Sequence, residues 1–398
     1  MSDHEIRVLA DEEHRAANTL FRAAMHAPKA GAEDWALEAR GYQPGRTLGA
    51  FDEELIGTAQ SIDSDLTVPG GGTVPLAAVT RVGVRADRVR RGVLSGLLQR
   101  QFADFAERGT VAAALHASEG AIYGRFGYGV ATTGRSYAVD RRIARLRPEV
   151  PSGGEIELLD TDTALDRLPR IYAGLERLRP GMLARPSYLW LSEEPFLRQA
   201  DTPLRAAVHH GPRGADGYAR YLVSRTPGSP VTARVVDFHA ATAEAFAGLW
   251  RFLLGLDLVD VIETRSRPLD EPVELLFTDP RACRVTGVRD EIWLRLVDVP
   301  AALAARERDA DPLVIEVSDP RLPANSGRYL ITPDEVTRTD RPPEITLGAD
   351  TLAMLYLGGW RPSALAAVGR LAAANADAER TADRLFRARR APWCGTFF

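Results

Sequence analysis

The sequence predicts a multidomain α/β (α+β) protein, and three observations carry that prediction. Its 398 residues are enough for two or three domains. Between Ala77 and Gly129, a strand, an arginine-rich loop and an amphipathic helix precede a second strand and a short helix. From Glu155 onward the same order of strand and helix signals returns without the arginine-rich loop. A hydrophobic content of 45% with 26% charge is that of a soluble globular chain. The net charge of −4 gives no strong pull towards nucleic acid or an anionic membrane. Cys283 and Cys394 cannot make a disulfide framework and fit a reducing cytoplasm. The acidic start MSDHEIRVLADEEHR lacks an apolar signal core, and no apolar run is long enough to span a bilayer.

Taken in order, Ile6–Leu9 reads as a strand, and Asp11 is placed to cap a helix. That helix carries Ala16, Ala17, Leu20, Phe21 and Ala24 on one face. Residues 26–45 are richer in Pro, Gly and charge and contain Trp35 and Tyr42. Strands follow at Thr47–Phe51 and Leu55–Leu66. Gly70-Gly71-Gly72 is a turn, because no helix follows it as a phosphate loop requires. Strand Thr73–Val84 leads into the crowded charges of 85–91. Gly92 opens a helix in which Val93, Leu94, Leu97, Leu98, Phe102 and Phe105 share a face, and Gly109 ends it. Val111–Leu115 is a second buried strand. Ser118 and Glu119 start a short helix carrying Tyr123, and Gly127-Tyr128-Gly129 turns into a further strand. Arg135–Asp140 closes the first domain, and 141–154 reads as a linker.

The second segment opens with strand Glu155–Leu159 and a helix from about Thr163 to Leu178. Leu204–His209 and Gly217–Arg225 form a hairpin, Val231–His239 and Ala243–Gly255 a further strand and helix, and Val259–Ile262 and Glu274–Leu276 more strands. His209-His210 has no Cys or carboxylate at ligand spacing, so it reads as part of a surface hairpin and not as a metal site. The third segment starts near Gly287. Glu291–Leu296, Leu313–Ser318, Arg328–Ile331 and Val336–Arg338 read as strands. Pro300–Arg306, Thr351–Tyr356, Pro362–Val368 and Ala376–Ala388 read as helices. The chain closes on Ala-Pro-Trp-Cys-Gly-Thr-Phe-Phe, apolar enough to be buried. A buried α-carboxylate needs a partner or a job.

The chemistry lies in the arginine-rich stretch. A strand, a basic loop with glycine and a helix N-terminus make an anion site, since the first helical amides have no intrahelical partner. Gly92 allows close approach, and Arg88, Arg90 and Arg91 bring charge, which suits a pyrophosphate. Gly-Lys-Ser/Thr and Gly-x-Gly-x-x-Gly are both absent, which excludes the mononucleotide and dinucleotide loops. On its own, a basic turn also fits a Rossmann-like unit with a solvated loop.

This stretch resembles motif A of the GNAT acetyltransferases. Arg90-Arg91-Gly92-Val93-Leu94, Ser118-Glu119 and Ile122-Tyr123-Gly124-Arg125-Phe126-Gly127-Tyr128 resemble, more narrowly, the Eis (enhanced intracellular survival) family. Val89, Ala86 and Leu94 depart from the general GNAT loop, where Arg or Gln, Pro and a small residue are usual. The resemblance implies two tandem GNAT-like domains, 1–141 and 155–286, then a sterol-carrier-protein-like domain, 287–398, whose C-terminus reaches the active site. The second is expected not to hold CoA, because Ala240–Glu244 has neither glycine nor arginine.

It further implies acetyl-CoA as cosubstrate and no metal. The binding residues would be Val82, Gly83, Val84, Arg90, Arg91, Gly92, Val93, Leu94, Ser95, Ser118 and Glu119. Tyr123 would be the general acid that protonates the leaving thiolate, and the α-carboxylate of Phe398 the general base. His116 is a substitute base, with a satisfied strand histidine as its plainer reading. Phe21 and Trp35 would lie in the acceptor wall. The implied acceptors are primary amines of aminoglycosides, polyamines or lysine-containing peptides, and the implied assembly is a homo-oligomer, by family habit a hexamer. Phe397 stands where some relatives carry an acid, leaving Glu33 and Asp34 as other sources of negative charge. A longer-chain acyltransferase and a non-catalytic CoA- or lipid-binding scaffold are the competing readings.

Overall fold

A computed structural model describes residues 4–175, 177–198 and 203–398. Residues 1–3, which begin the acidic start, and residue 176, within the helix expected to reach Leu178, lie outside the described residues. Among the described residues the fold is built on three sheets. The first has seven strands in the order Glu5–Val8, Thr47–Asp52, Glu54–Thr67, Thr73–Val84, Ala112–Leu115, Trp293–Leu296 and Gly129–Val130. The second, also of seven, runs Cys283–Asp290, Thr133–Asp140, Val261–Pro268, Thr232–Ala240, Gly214–Ser224, Arg205–Gly211 and Glu155–Leu159. The third has five: Val336–Arg338, Gly327–Ile331, Leu313–Ser318, Ile345–Gly348 and Leu371–Ala373.

The first two sheets exchange strands across the expected boundaries. Thr133–Asp140, of which Arg135–Asp140 reads from sequence as the close of the first domain, pairs with Val261–Pro268 and Cys283–Asp290 in the second sheet. Trp293–Leu296, from beyond Gly287, pairs with Ala112–Leu115 and Gly129–Val130 in the first. Alternating side chains announce a half-buried strand but not which sheet receives it. Other differences are local. Asp11 does not cap its helix: it lies in a 3₁₀ turn, and the Glu13 carboxylate takes the Ala10 N–H instead. Val273–Leu276 is a 3₁₀ turn, not a strand. Helices Ala32–Glu38 and Ser187–Arg198 were not legible in the pattern.

Helix Val93–Glu107 buries Leu97, Leu98, Phe102 and Phe105 against the first sheet, each contributing about 1.5–3 kcal/mol. A continuous apolar core joins that sheet to the third domain, with Leu66, Leu76, Ala112 and Ala114 meeting Leu352, Leu355, Leu385 and Phe386. Gly129 is needed at this seam, because a Cβ there would lie 2.1 Å from the Asp350 carbonyl oxygen. The last eight residues thread through the junction, with Trp393, Cys394 and Thr396 buried.

Candidate active site

The site begins with a fork in the first sheet. Thr73–Val84 pairs with the parallel strand Ala112–Leu115 only over Leu76–Ala78. Beyond Ala78 it continues to Val84 without that neighbour. A bulge strengthens the divergence: on the other edge the register jumps from Gln60↔Thr80 to Thr58↔Gly83, and Arg81 takes φ 48°. Val82, Gly83 and Val84 therefore lie along an open wedge. Helix His14–Ala24 crosses Gly83, where a Cβ would approach the Phe21 Cα to 3.1 Å.

The wedge leads to the arginine loop. Gly92 takes φ 86°, and the first helical bond runs from the Gly96 amide to the Gly92 carbonyl. The amides of Val93, Leu94 and Ser95 precede that bond and point out of the helix N-terminus. Arg85 is held by Asp87 and Glu54, and Arg88 lies 3.4 Å from Asp52. Arg90 and Arg91 are exposed and, among the described residues, enter no ion pair. The Val93 side chain packs into the cluster of Leu48, Ala50 and Ile56, so only its amide is available to a ligand. Leu94 and Val82 pack around the cluster that contains Tyr123. Ser118 and Glu119 directly precede the short helix Gly120–Tyr123.

Tyr123 is buried, its ring edge-on to Tyr128 at 5.9 Å. Burial, with a smaller contribution from the Glu119 charge, raises its pKa, so the phenol keeps its proton at neutral pH. Tyr128 is buried more completely, its phenol raised by burial, and its hydroxyl finds no partner among the described residues.

Phe398 reaches the same fork. Its ring packs against Ile62, Ala78 and Leu189, and Ile62 and Ala78 stand opposite each other in register. Ala78 is the last residue paired before the strands part. Tyr123 shares its cluster with Ala77 and Val79. Because successive side chains of a strand alternate, Tyr123 and Phe398 flank the fork from opposite faces of the sheet.

The segment that delivers Phe398 is fixed by residues that sequence reasoning missed. The Glu291 carboxylate accepts the Cys394 and Gly395 amides at 2.9 and 3.0 Å and is itself held by Thr132 and Ser266. Arg185 donates to the Gly395 carbonyl and the Thr396 hydroxyl. The Trp393 indole donates to the Ser266 carbonyl. His116 Nε2 bonds the Thr396 carbonyl oxygen, so that nitrogen carries the proton and donates. Burial lowers the His116 pKa. No local motif marks these positions; only the buried acid and the buried arginine hint at them after folding.

On the Phe398 side of the sheet, Tyr42 stacks on His14 at 4.8 Å and meets the Trp35 edge at 5.7 Å. The Arg81 guanidinium covers Tyr42 at 4.7 Å and donates to Gln60. The neighbouring carboxylates are engaged by arginine: Glu38 by Arg22, Glu194 by Arg40, and Glu193 by Arg220. Glu33 is exposed and Asp34 partly buried on helix Ala32–Glu38. His209, expected at the surface, is buried, donating Nδ1–H to Asp216 and accepting the Gly154 amide on Nε2. Its neighbour His210 contacts Glu157.

The acetyltransferase (GNAT) domain family matches residues 5–131 and, in a second form, 181–296, and the sterol carrier protein domain family matches 299–395. The N-acetyltransferase Eis of Mycobacterium tuberculosis (strain ATCC 25177 / H37Ra) is 39% identical over 347 residues, 84% of this chain and 83% of that protein. An uncharacterized N-acetyltransferase of Streptomyces coelicolor is 37% identical over 409 residues, 98% of each chain. The crystal structure of Eis1 from Mycobacterium abscessus superposes with a TM-score of 0.91 at 44% identity, covering 99% of this chain and 100% of that one.

Proposed function

The chain belongs to the Eis family of GNAT N-acetyltransferases, two GNAT domains followed by a sterol-carrier-type domain, and from that premise we propose how it acts. It transfers the acetyl group of acetyl-CoA directly to a primary amine, with Tyr123 as general acid and the Phe398 α-carboxylate as general base. One observation carries this reading: Tyr123 and Phe398 flank the fork of the first sheet from opposite faces.

The chain's residues suit an acyl-CoA. Arg90 and Arg91, with the amides after Gly92, form the anion end. The wedge amides of Val82–Val84 supply hydrogen bonds along the strand and towards a thioester oxygen. Ser118 and Glu119 lie beside the acid. Tyr123 stays protonated until a thiolate leaves and then donates to it. The reference pKa of a carboxylate is roughly 3.5 and that of an alkyl amine roughly 10. For the transfer to be useful that gap must narrow, by burial that raises the carboxylate or by electrostatics that lower the amine.

For the acceptor, polycations such as aminoglycosides or polyamines, and lysine-type amines, are the classes the resemblance suggests. The arginine-engaged carboxylates and the Arg81 cation support placing amines with a single positive charge ahead of polycations. Thiol release from acetyl-CoA, measured with hexylamine, cadaverine and an aminoglycoside, tests both points. Amine-dependent release is expected, fastest with hexylamine; binding of acetyl-CoA without release in any amine would favour a scaffold.

The proposal includes self-association, as a hexamer. Edge strand Cys283–Asp290 exposes Val285 and Val288 beside an open row of backbone groups, which suits a second copy. Light scattering showing a stable monomer would remove this part. Cys283 and Cys394 are both free and buried, which suits a reducing, cytoplasmic compartment. No helix among the described residues is long and apolar enough to cross a membrane.

A further inference from the structure

The second GNAT-like domain has no glycine or arginine at its counterpart of the phosphate loop, yet it holds a buried charged cluster near the chain end. Its centre is Asp237, with its side chain 2% exposed. Asp237 accepts from the Tyr218 hydroxyl at 2.8 Å, His239 Nε2 at 2.8 Å and Arg185 Nη1 at 2.7 Å, with Arg220 Nη2 at 3.1 Å. Arg185, 4% exposed, lies flat over the Tyr172 ring at 4.0 Å. Two of its donors also leave the domain: Nη2, 3.4 Å from Asp237 Oδ1, reaches the Gly395 carbonyl at 2.7 Å, and Nε reaches the Thr396 hydroxyl at 2.9 Å.

Burying charges costs several kcal/mol per ion, so such a cluster is poor evidence for stability alone. It does impose geometry. A guanidinium is a rigid planar fork, and here Nη1 is fixed on Asp237 while Nη2 and Nε grip the Gly395 carbonyl and the Thr396 hydroxyl, three and two residues before Phe398.

We propose that Arg185, oriented by Asp237, is a positioning residue that sets where the end of the chain meets the fork. The second domain thus serves the first domain's reaction as the jig for its base. This rests on the reading of the Phe398 carboxylate as that base. Glu291 and His116 complete the grip: with Arg185, they claim the amides of 394 and 395, the carbonyls of 395 and 396 and the Thr396 hydroxyl. Two free residues span roughly 7 Å at most, so slack at Thr396 moves the carboxylate by more than a hydrogen bond tolerates.

The test uses the full-length protein with Arg185→Lys, Thr396→Val, and a chain extended by one alanine after Phe398. Arg185→Lys keeps the charge and loses the fork; Thr396→Val keeps the shape and leaves the buried ion cluster whole. For each, melting temperature, acetyl-CoA affinity by calorimetry and the pH profile of kcat are measured. Arg185→Lys is expected to lower kcat at least about 30-fold and Thr396→Val about 5-fold. Acetyl-CoA affinity should stay within about twofold, and the acidic limb of the profile should move in both variants, which a role confined to stability would not produce. If Arg185→Lys melts far below the parent, Thr396→Val decides. An inactive extended chain together with native kcat and an unmoved profile in Thr396→Val would overturn the positioning role alone. An extended chain with native kcat would remove the base itself, and the proposal with it.

Discussion

His116 and Thr396 stand 280 residues apart in the chain, and His116 Nε2 donates to the Thr396 carbonyl oxygen at 2.9 Å. The bond ties the end of a first-domain strand to the closing segment. It also occupies the histidine nitrogen nearest that segment as a donor. His116→Gln, whose side-chain amide can still donate, should keep kcat within about fivefold, whereas His116→Phe should lose about tenfold or more. Equal, severe losses in both variants, with the acidic limb of the pH–rate profile gone, would make His116 the base.

In the proposed role of Tyr123, Tyr123→Phe removes a proton needed only as the thiolate departs. The loss should therefore appear in kcat, by about 100-fold or more, with acetyl-CoA affinity within about twofold. Calorimetric titration beside steady-state kinetics separates the two quantities. A parallel loss of affinity would mean that the buried ring only supports packing.

Arg90→Ala with Arg91→Ala should do the opposite, raising the acetyl-CoA dissociation constant while leaving kcat at saturation near its parent value. Both side chains are exposed, so the parent's affinity should fall as salt rises, and the double variant should show a flatter dependence. Affinity unchanged by the substitutions would move the anion end of the site elsewhere.

Acid sensitivity should trace to the second domain. Burial lowers His239 from 6.5 to about 4, outweighing the neighbouring Asp237 charge. Below pH 6.5 the unfolded chain takes up a proton that the folded chain refuses. Stability is therefore full above pH 6.5 and falls as the pH drops towards 4, by about 2 kcal/mol at pH 5. Thermal melts at pH 7.5 and 5.0 should differ by several degrees more in the parent than in His239→Gln. Equal shifts would exclude His239 as the source.

The local geometry of the proposed anion end was legible because its parts are contiguous. Gly92 takes its left-handed turn, Arg90 and Arg91 are displayed beside it, and helix Val93–Glu107 follows as its apolar spacing predicted. Local periodicity likewise placed Leu313–Ser318 and Val336–Arg338 to the residue. What escaped is long-range. Thr133–Asp140 and Trp293–Leu296 have strand patterns that any sheet could accept, and their exchange depends on tertiary packing. Arg185 and Glu291 look like surface charges in a chain rich in both types. Only the closing segment, folded between two domains, turns them into its anchors.

One alanine added after Phe398 moves the terminal carboxylate by up to about 3.5 Å and leaves a neutral amide in its place. The decisive measurement is kcat of this extended protein against the parent, on material whose thermal melt is unchanged. A fall of at least about 100-fold is expected, with acetyl-CoA still bound normally. Near-native kcat in the extended chain would contradict it.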